Sequence, residues 1–298
     1  LPAAITITFT DMRHLWVRAL IIGAALLLAG CTTLRLGYSQ GPTLAYWWLD
    51  RQAGFSREQA PLVREGLGRW FDWHRSTQLD AYAALLAEAQ REILQPITPA
   101  RVCAWSERLQ ALAEPALDEA LAIAVPLLPR LTPANLDRIA ERQSMRQEEL
   151  RREYLEGDAA ARRTASLKRT VDRYQRVYGR LGPEQRDLLA GALAAGPLDA
   201  QAWLEGREQR QRQTLELLRQ AAAPGVAESA RLDALRRLAV PAPAADPAEQ
   251  ARQRQAAAFQ CELTARLHNS TTPAQRERAR RTLRGWEEDL RSLSGQGA

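Results

Sequence analysis

Four groups of residues have the types and spacing to do chemistry. The first is Leu28-Ala29-Gly30-Cys31, which closes an apolar run, Ala19 to Leu28, that follows Arg13, His14 and Arg18. A basic start, a short apolar stretch and a small-residue cleavage site make a secretory signal. Its ending in Cys31 predicts cleavage before that residue and acylation of the Cys31 sulfur and amino group. A membrane-spanning helix is the alternative, but 15–28 is short against the roughly 20 apolar residues a span needs. The second group is Cys103 and Cys261, an even pair once Cys31 is set aside. In an oxidising compartment such a pair predicts a disulfide. The alternative is two separate buried thiols.

The third group is Trp70-Phe71-Asp72-Trp73-His74-Arg75, with Leu79 and Tyr82 beyond it. As a binding patch, Trp70, Trp73 and Tyr82 would stack on a ligand while His74 or Arg75 fixed a polar group. Aromatic residues at helical spacing more often form a packed crossing with a satisfied histidine, and that reading is favoured. The fourth group is Leu267-His268-Asn269-Ser270-Thr271-Thr272-Pro273. Asn269 can end one helix, and Thr271 or Thr272 can cap the next. His268 follows Cys261 by seven residues and shares its helix face. A bridge to Cys103 would carry His268 toward His74, and the two histidines would then be the place to look for an envelope hydrolase or transferase. No catalytic residue, metal site or cofactor follows from motif: there is no His-Glu-x-x-His, paired Cys-x-x-Cys, Gly-x-Ser-x-Gly or phosphate-cradling glycine loop.

The net charge is +6, carried almost wholly by arginine, with Lys168 the single lysine. A basic chain seeks anionic partners. The signal turns that preference away from nucleic acid and toward membrane, lipopolysaccharide or cell wall. Arg162, Arg163, Lys168, Arg169, Arg173, Arg176 and Arg180 concentrate the charge on one stretch, although a solvated helix face is the plainer reading of such a run.

These residues must be positioned by helices, since no strand-like alternation occurs. Residues 1–11 read as an upstream start artefact, 12–30 as signal peptide, and 31–54 as a lipidated tether with an aromatic segment. Residues 55–298 form an all-helical domain with a Pro/Ala linker near 240–247. The block Leu44-Ala45-Tyr46-Trp47-Trp48-Leu49 is expected to seed the core, with rest at a bilayer interface as the alternative. One long helix is predicted from Ser56 to about Gln95, capped by Ser56 and Gln59. Further helices start at Thr98-Pro99, Thr132-Pro133, Ala159, Gly182-Pro183, Asp199, Ser229, Ala248 and Thr272-Pro273. Pro115, Pro126 and Pro129 should break up a short apolar segment over 116–128. One pattern recurs at helix starts: Phe55-Ser-Arg-Glu-Gln59, Ile97-Thr-Pro-Ala-Arg101, Leu131-Thr-Pro-Ala-Asn135, Leu181-Gly-Pro-Glu-Gln185 and Thr271-Thr-Pro-Ala-Gln275. The fold class is all-α, an elongated bundle of antiparallel helical hairpins anchored by lipid at its N-terminus.

The lipobox, the Tyr46-Trp-Trp-Leu-Asp50 block, Phe55-Ser-Arg-Glu-Gln59, Trp73-His-Arg75 and the ending Leu267-His-Asn-Ser-Thr-Thr-Pro-Ala-Gln275 with Trp286-Glu-Glu-Asp289 resemble a family of Gram-negative lipoproteins of unknown function. The resemblance implies location and fold, and no catalytic residue. Thr32 after Cys31, where inner-membrane lipoproteins carry Asp, implies the periplasmic face of the outer membrane. The helix starts are also similar to the Leu-Thr-x-x-Gln boxes of periplasmic chaperones and stress sensors. The expected function is non-enzymatic: binding, chaperone-like action or scaffolding of envelope components.

Overall fold

The structure is a computed structural model that describes residue 35 and residues 37–197, 199–239 and 247–295. Cys31 and its lipobox, the signal segment, residues 1–11 and linker residues 240–246 lie outside the described residues. Everything else regular is helical. The order is α1 (Gly41–Ala53), α2 (Gln59–Thr77), α3 (Leu79–Glu92), α4 (Pro99–Ala124), a 3₁₀ turn (Val125–Arg130), α5 (Pro133–Leu155), α6 (Ala159–Tyr178), α7 (Pro183–Ala195), α8 (Ala200–Ala222), α9 (Glu228–Ala239), α10 (Pro247–Asn269) and α11 (Pro273–Ser294). Among the described residues there is no strand.

Within the segment read as tether and aromatic block, helix begins early: Arg35 and residues 37–39 are helical, and α1 begins at Gly41. Two expectations change. The helix expected from Ser56 to Gln95 is two helices, with a turn at Gln78 where Gln78 N–H still bonds His74 O. Pro115 ends nothing. It sits inside α4, which runs unbroken to Ala124, because packing on both sides outweighs the loss of one hydrogen bond.

The recurrent helix starts serve a purpose beyond initiation. Thr132 and Thr272 cap their helices reciprocally with Asn135 and Gln275. Ser56 and Gln59 exchange the same pair of bonds. Gly182 has no side chain to offer, so only Gln185 Oε1 reaches back to its N–H, at 2.9 Å. Each amide then has NH₂ groups left over, and these join the boxes two by two. Gln59 Nε2 donates to Asn135 Oδ1 at 2.8 Å, and Asn135 Nδ2 donates to the Ala53 and Gly54 carbonyls. Gln185 Nε2 donates to Gln275 Oε1 at 2.8 Å, and Gln275 Nε2 reaches the Arg180 carbonyl. Gln59, Asn135 and Gln185 are buried. A buried amide is tolerated when its donors and acceptors are met. The fifth box differs: Arg101 instead pairs with Glu92.

Two apolar cores form. One joins α6, α7, α10 and α11 through Val171, Tyr174, Tyr178, Leu189, Leu263, Leu267 and Ala279. The other joins α4, the 3₁₀ turn, α8 and α9 through Leu121, Val125, Leu128, Ala221, Ala234 and Leu235. The tightest helix pairings are distant in sequence, α3 with α11 and α4 with α10. Cys103 of α4 and Cys261 of α10 are bonded, with Cα atoms 5.5 Å apart.

Candidate functional site

The turn-by-turn spacing of α2 puts Trp70 and His74 on one face, and their rings stack with centroids 4.6 Å apart. Tyr38, from the helical segment before α1, closes over them. Its hydroxyl meets His74 Nδ1 at 2.9 Å, and its ring packs edge-on to Phe71. Tyr82 of α3 comes within 5.5 Å of the imidazole. Two polar ends reach α4: Trp70 Nε1 donates to Ala116 O at 2.9 Å, and the Tyr82 hydroxyl donates to Leu112 O at 3.2 Å. These carbonyls flank Pro115, which sits inside α4. Burial pushes the Tyr38 hydroxyl up to about 12, raises Tyr82, and holds His74 below the ordinary histidine value. The charges beside the cluster are those of Asp72 and of Arg75, whose guanidinium lies 5.7 Å over the Tyr38 ring. Arg75 Nε is buried with no hydrogen-bond partner among the described residues. Trp73 is half-buried and stands outside these ring contacts.

The second cluster is a corner. His268 is buried, and Nε2 lies 2.7 Å from Gln95 O. A carbonyl only accepts, so Nε2 carries the proton and Nδ1 accepts from the Tyr178 hydroxyl, 2.9 Å away. Burial keeps this imidazole below its ordinary value and pushes Tyr178 up to about 12. Asn269 clasps the backbone of residue 97 from both sides: Oδ1 accepts from Ile97 N–H and Nδ2 donates to Ile97 O, each at 2.9 Å. Arg276 adds a bond to Leu94 O. His268, Asn269 and Arg276 hold the turn between α3 and α4, and Tyr178 holds His268.

The two histidines do not share a site. His74 meets the first turn of α3 through Tyr82, whereas His268 meets Gln95 beyond its last turn. Ten residues of helical rise, roughly 15 Å, run from Tyr82 to the end of α3 before Gln95 is reached. The route through Cys261 was sound for bringing α10 to α4, but Cys103 lies near the far end of α4 from the α2 crossing.

Sequence reasoning missed a charged cluster between α3 and α4. Glu92 receives Arg101 and the Trp105 indole N–H, and Glu88 takes Arg108 through two bonds at 2.6 and 2.7 Å. Arg101 above all holds the Glu92 carboxyl down to about 2. A signal existed: Glu88 and Glu92 are like charges four apart, which an isolated helix disfavours unless cations arrive from outside. Also missed was a shallow groove of about 290 Å³ between α5 and α8, lined by Ala140, Gln143, Gln147, Arg151 and Leu215 among others. Gln147 donates to Leu204 O, while Gln143 Oε1 and Gln147 Oε1 are buried without donors. Among the described residues no three His, Cys, Asp or Glu side chains are placed to hold a metal, and no helix is long and apolar enough to cross a membrane.

A family model described as a family of unknown function (DUF6279) matches residues 52–238. No curated protein and no solved structure matches the chain.

Proposed function

We propose, for a chain that belongs to this family of unknown function, a non-enzymatic role at the cell envelope. In this reading Cys31 is acylated, the periplasmic face of the outer membrane holds the lipid, and antiparallel helical hairpins form a body that binds or scaffolds envelope components. The observation that carries it is the lipobox Leu28-Ala29-Gly30-Cys31. Two or three acyl chains hold where a single chain binds only marginally, at about 0.8 kcal/mol per buried methylene.

The clusters support binding over catalysis. His268 spends both ring nitrogens on structure. His74 is neutral, and its bonded partner is a phenol rather than a carboxylate. A general base needs an orienting group and a reachable substrate proton, and neither histidine has that arrangement. The surfaces that remain are helix faces. Arg173 and Arg176 on α6 and Arg180 in the turn after it are exposed and form no ion pair among the described residues, which suits an anionic partner such as lipopolysaccharide. The orphan acceptors Gln143 Oε1 and Gln147 Oε1 give the α5–α8 groove a preference for a hydrogen-bond donor. The paired boxes support a structural use of these helix starts.

The test is expression with the signal intact, followed by fractionation and crosslinking in cells. The native chain should sediment with outer membrane and Cys31→Ser should be released. Crosslinking should recover an envelope protein, glycan or lipid. Equal fractionation of the two chains would defeat the anchor, and empty crosslinks would defeat the scaffold.

A further inference from the structure

The exposed positions of α1 are Leu44, Trp47, Trp48 and Arg51. They fall at i, i+3, i+4 and i+7, one stripe of a helix. Trp47 and Trp48 are 60 % and 62 % exposed and Leu44 is 50 % exposed. The opposite face is fully used. Tyr46 and Ala53 are buried and the Arg64 guanidinium lies 3.6 Å over the Tyr46 ring, while Gly41, at the N-terminal end of the helix, packs on the Phe71 ring with no room for a Cβ. The stripe is therefore not a core face awaiting a rotation. α1 is fixed, with two indoles and a leucine outward.

What covers this face follows from how the chain enters the body. Arg35 Nε bonds Asp289 Oδ1 of α11 at 2.8 Å, and the Asp289 side chain is 3 % exposed. Tyr38 is held by His74 at 2.9 Å. The chain is thus clamped to α11 and α2 from Arg35 onward. Cys31 precedes Arg35 by four residues, which span at most about 14 Å even when fully extended. If lipid sits on Cys31, the body rests on the bilayer and does not swing from a long tether. α1 is the first complete helix after that point.

We infer that the Leu44, Trp47, Trp48 and Arg51 face of α1 docks on the bilayer that holds the Cys31 acyl chains. This rests on the lipid-anchor reading above. The indoles occupy the headgroup boundary, where one end of the ring meets apolar chains and the N–H meets water or ester oxygens. Arg51 reaches the phosphates while its stem lies along the apolar surface. The Arg35–Asp289 pair orients the face, so that lipid and indoles engage together and their contributions combine as two linked sites.

The experiment uses the full chain, made with its signal and reconstituted in vesicles of phosphatidylethanolamine and phosphatidylglycerol with brominated acyl chains. Bromine quenches tryptophan only at the bilayer. The expected result is quenching of the native protein, loss of most of it in W47F/W48F, and no change in W203F. W47F/W48F should melt as the native chain does, since both positions are exposed. Intact mass of the purified protein reads acylation separately. An acylated chain quenched equally in native and W47F/W48F forms, or not at all, overturns the docking and leaves the anchor standing. A chain with no acyl group on Cys31 overturns the anchor and the docking with it. Crosslinks from position 47 or 48 to a second copy, without quenching, assign the face to an oligomer and overturn the proposal.

Discussion

Two aromatic blocks lie within 30 residues of each other in the first half of the chain, around Trp47-Trp48 and around Trp70-Trp73-His74. They read alike as strings, and both were expected to be core. The structure turns them in opposite directions. On α2, Trp70 stacks on His74 and its N–H finds the Ala116 carbonyl. On α1 only Tyr46 goes inward, and both indoles face out. The difference is helical phase and polar satisfaction. Tyr46 and Ala53, seven residues apart, share the inward face of α1 against α2 and α5, which leaves 47 and 48 on the outer side. An indole is buried at little cost only where an acceptor waits for its N–H, and α4 supplies one beside Pro115. Aromatic density therefore does not predict burial; the presence of an acceptor and the phase of the neighbours do.

The contrast can be broken at several points. Trp70→Ala should cost about 3 kcal/mol or more in denaturant unfolding, since it removes a large packed side chain and its hydrogen bond to the carbonyl of buried Ala116. A loss under 1 kcal/mol would show that the α2–α4 crossing is not a packed site. Next in size, Cys103→Ser with Cys261→Ser should cost about 2–4 kcal/mol, because the bond closes a long loop between α4 and α10. Trp70 burial should survive this change, and red-shifted fluorescence at neutral pH would show that the bridge and the aromatic cluster are one cooperative unit.

A smaller effect is expected from acid. His74 and His268 are both held below the ordinary histidine value by burial. The unfolded chain takes up their protons first, near pH 6.5. Stability present above that pH is therefore lost as pH falls toward the lowered folded values. Melting temperature should drop between pH 7 and pH 5, and less in His74→Asn and His268→Asn, each measured against its own value at pH 7.5. An unchanged slope in both variants would assign the acid sensitivity elsewhere. The smallest effect belongs to the outward block: Trp47→Ala with Trp48→Ala should move unfolding by no more than about 0.5 kcal/mol. A loss as large as that of Trp70→Ala would mean the two blocks are equivalent after all.

Much of the fold was legible from local chemistry. Thr98, Thr132, Asp199 and Thr272 all cap the helices whose starts they mark in the sequence, because capping depends on a few adjacent residues. Where the outcome depended on partners, local reasoning failed. Propensity alone could not show that Gln78 turns α2 into α3 or that Pro115 stays within α4. Nor did an aromatic block at 44–49 show that 41–53 is a helix packed on α2 and α5. The clasp of Asn269 on residue 97 was legible only as a helix stop, because its partner lies 172 positions away.

The sequence by itself determined an all-helical chain, its main helix starts, its membership of a family and, through Cys31, an address to be tested. Those features follow from short-range bonds, periodicity and motif. The tertiary structure alone decided that the boxes join in pairs, that the histidines sit at opposite ends of α3, and that Trp47 and Trp48 face outward. Each of these depends on which distant helix arrives at a given face, and no local interaction specifies that.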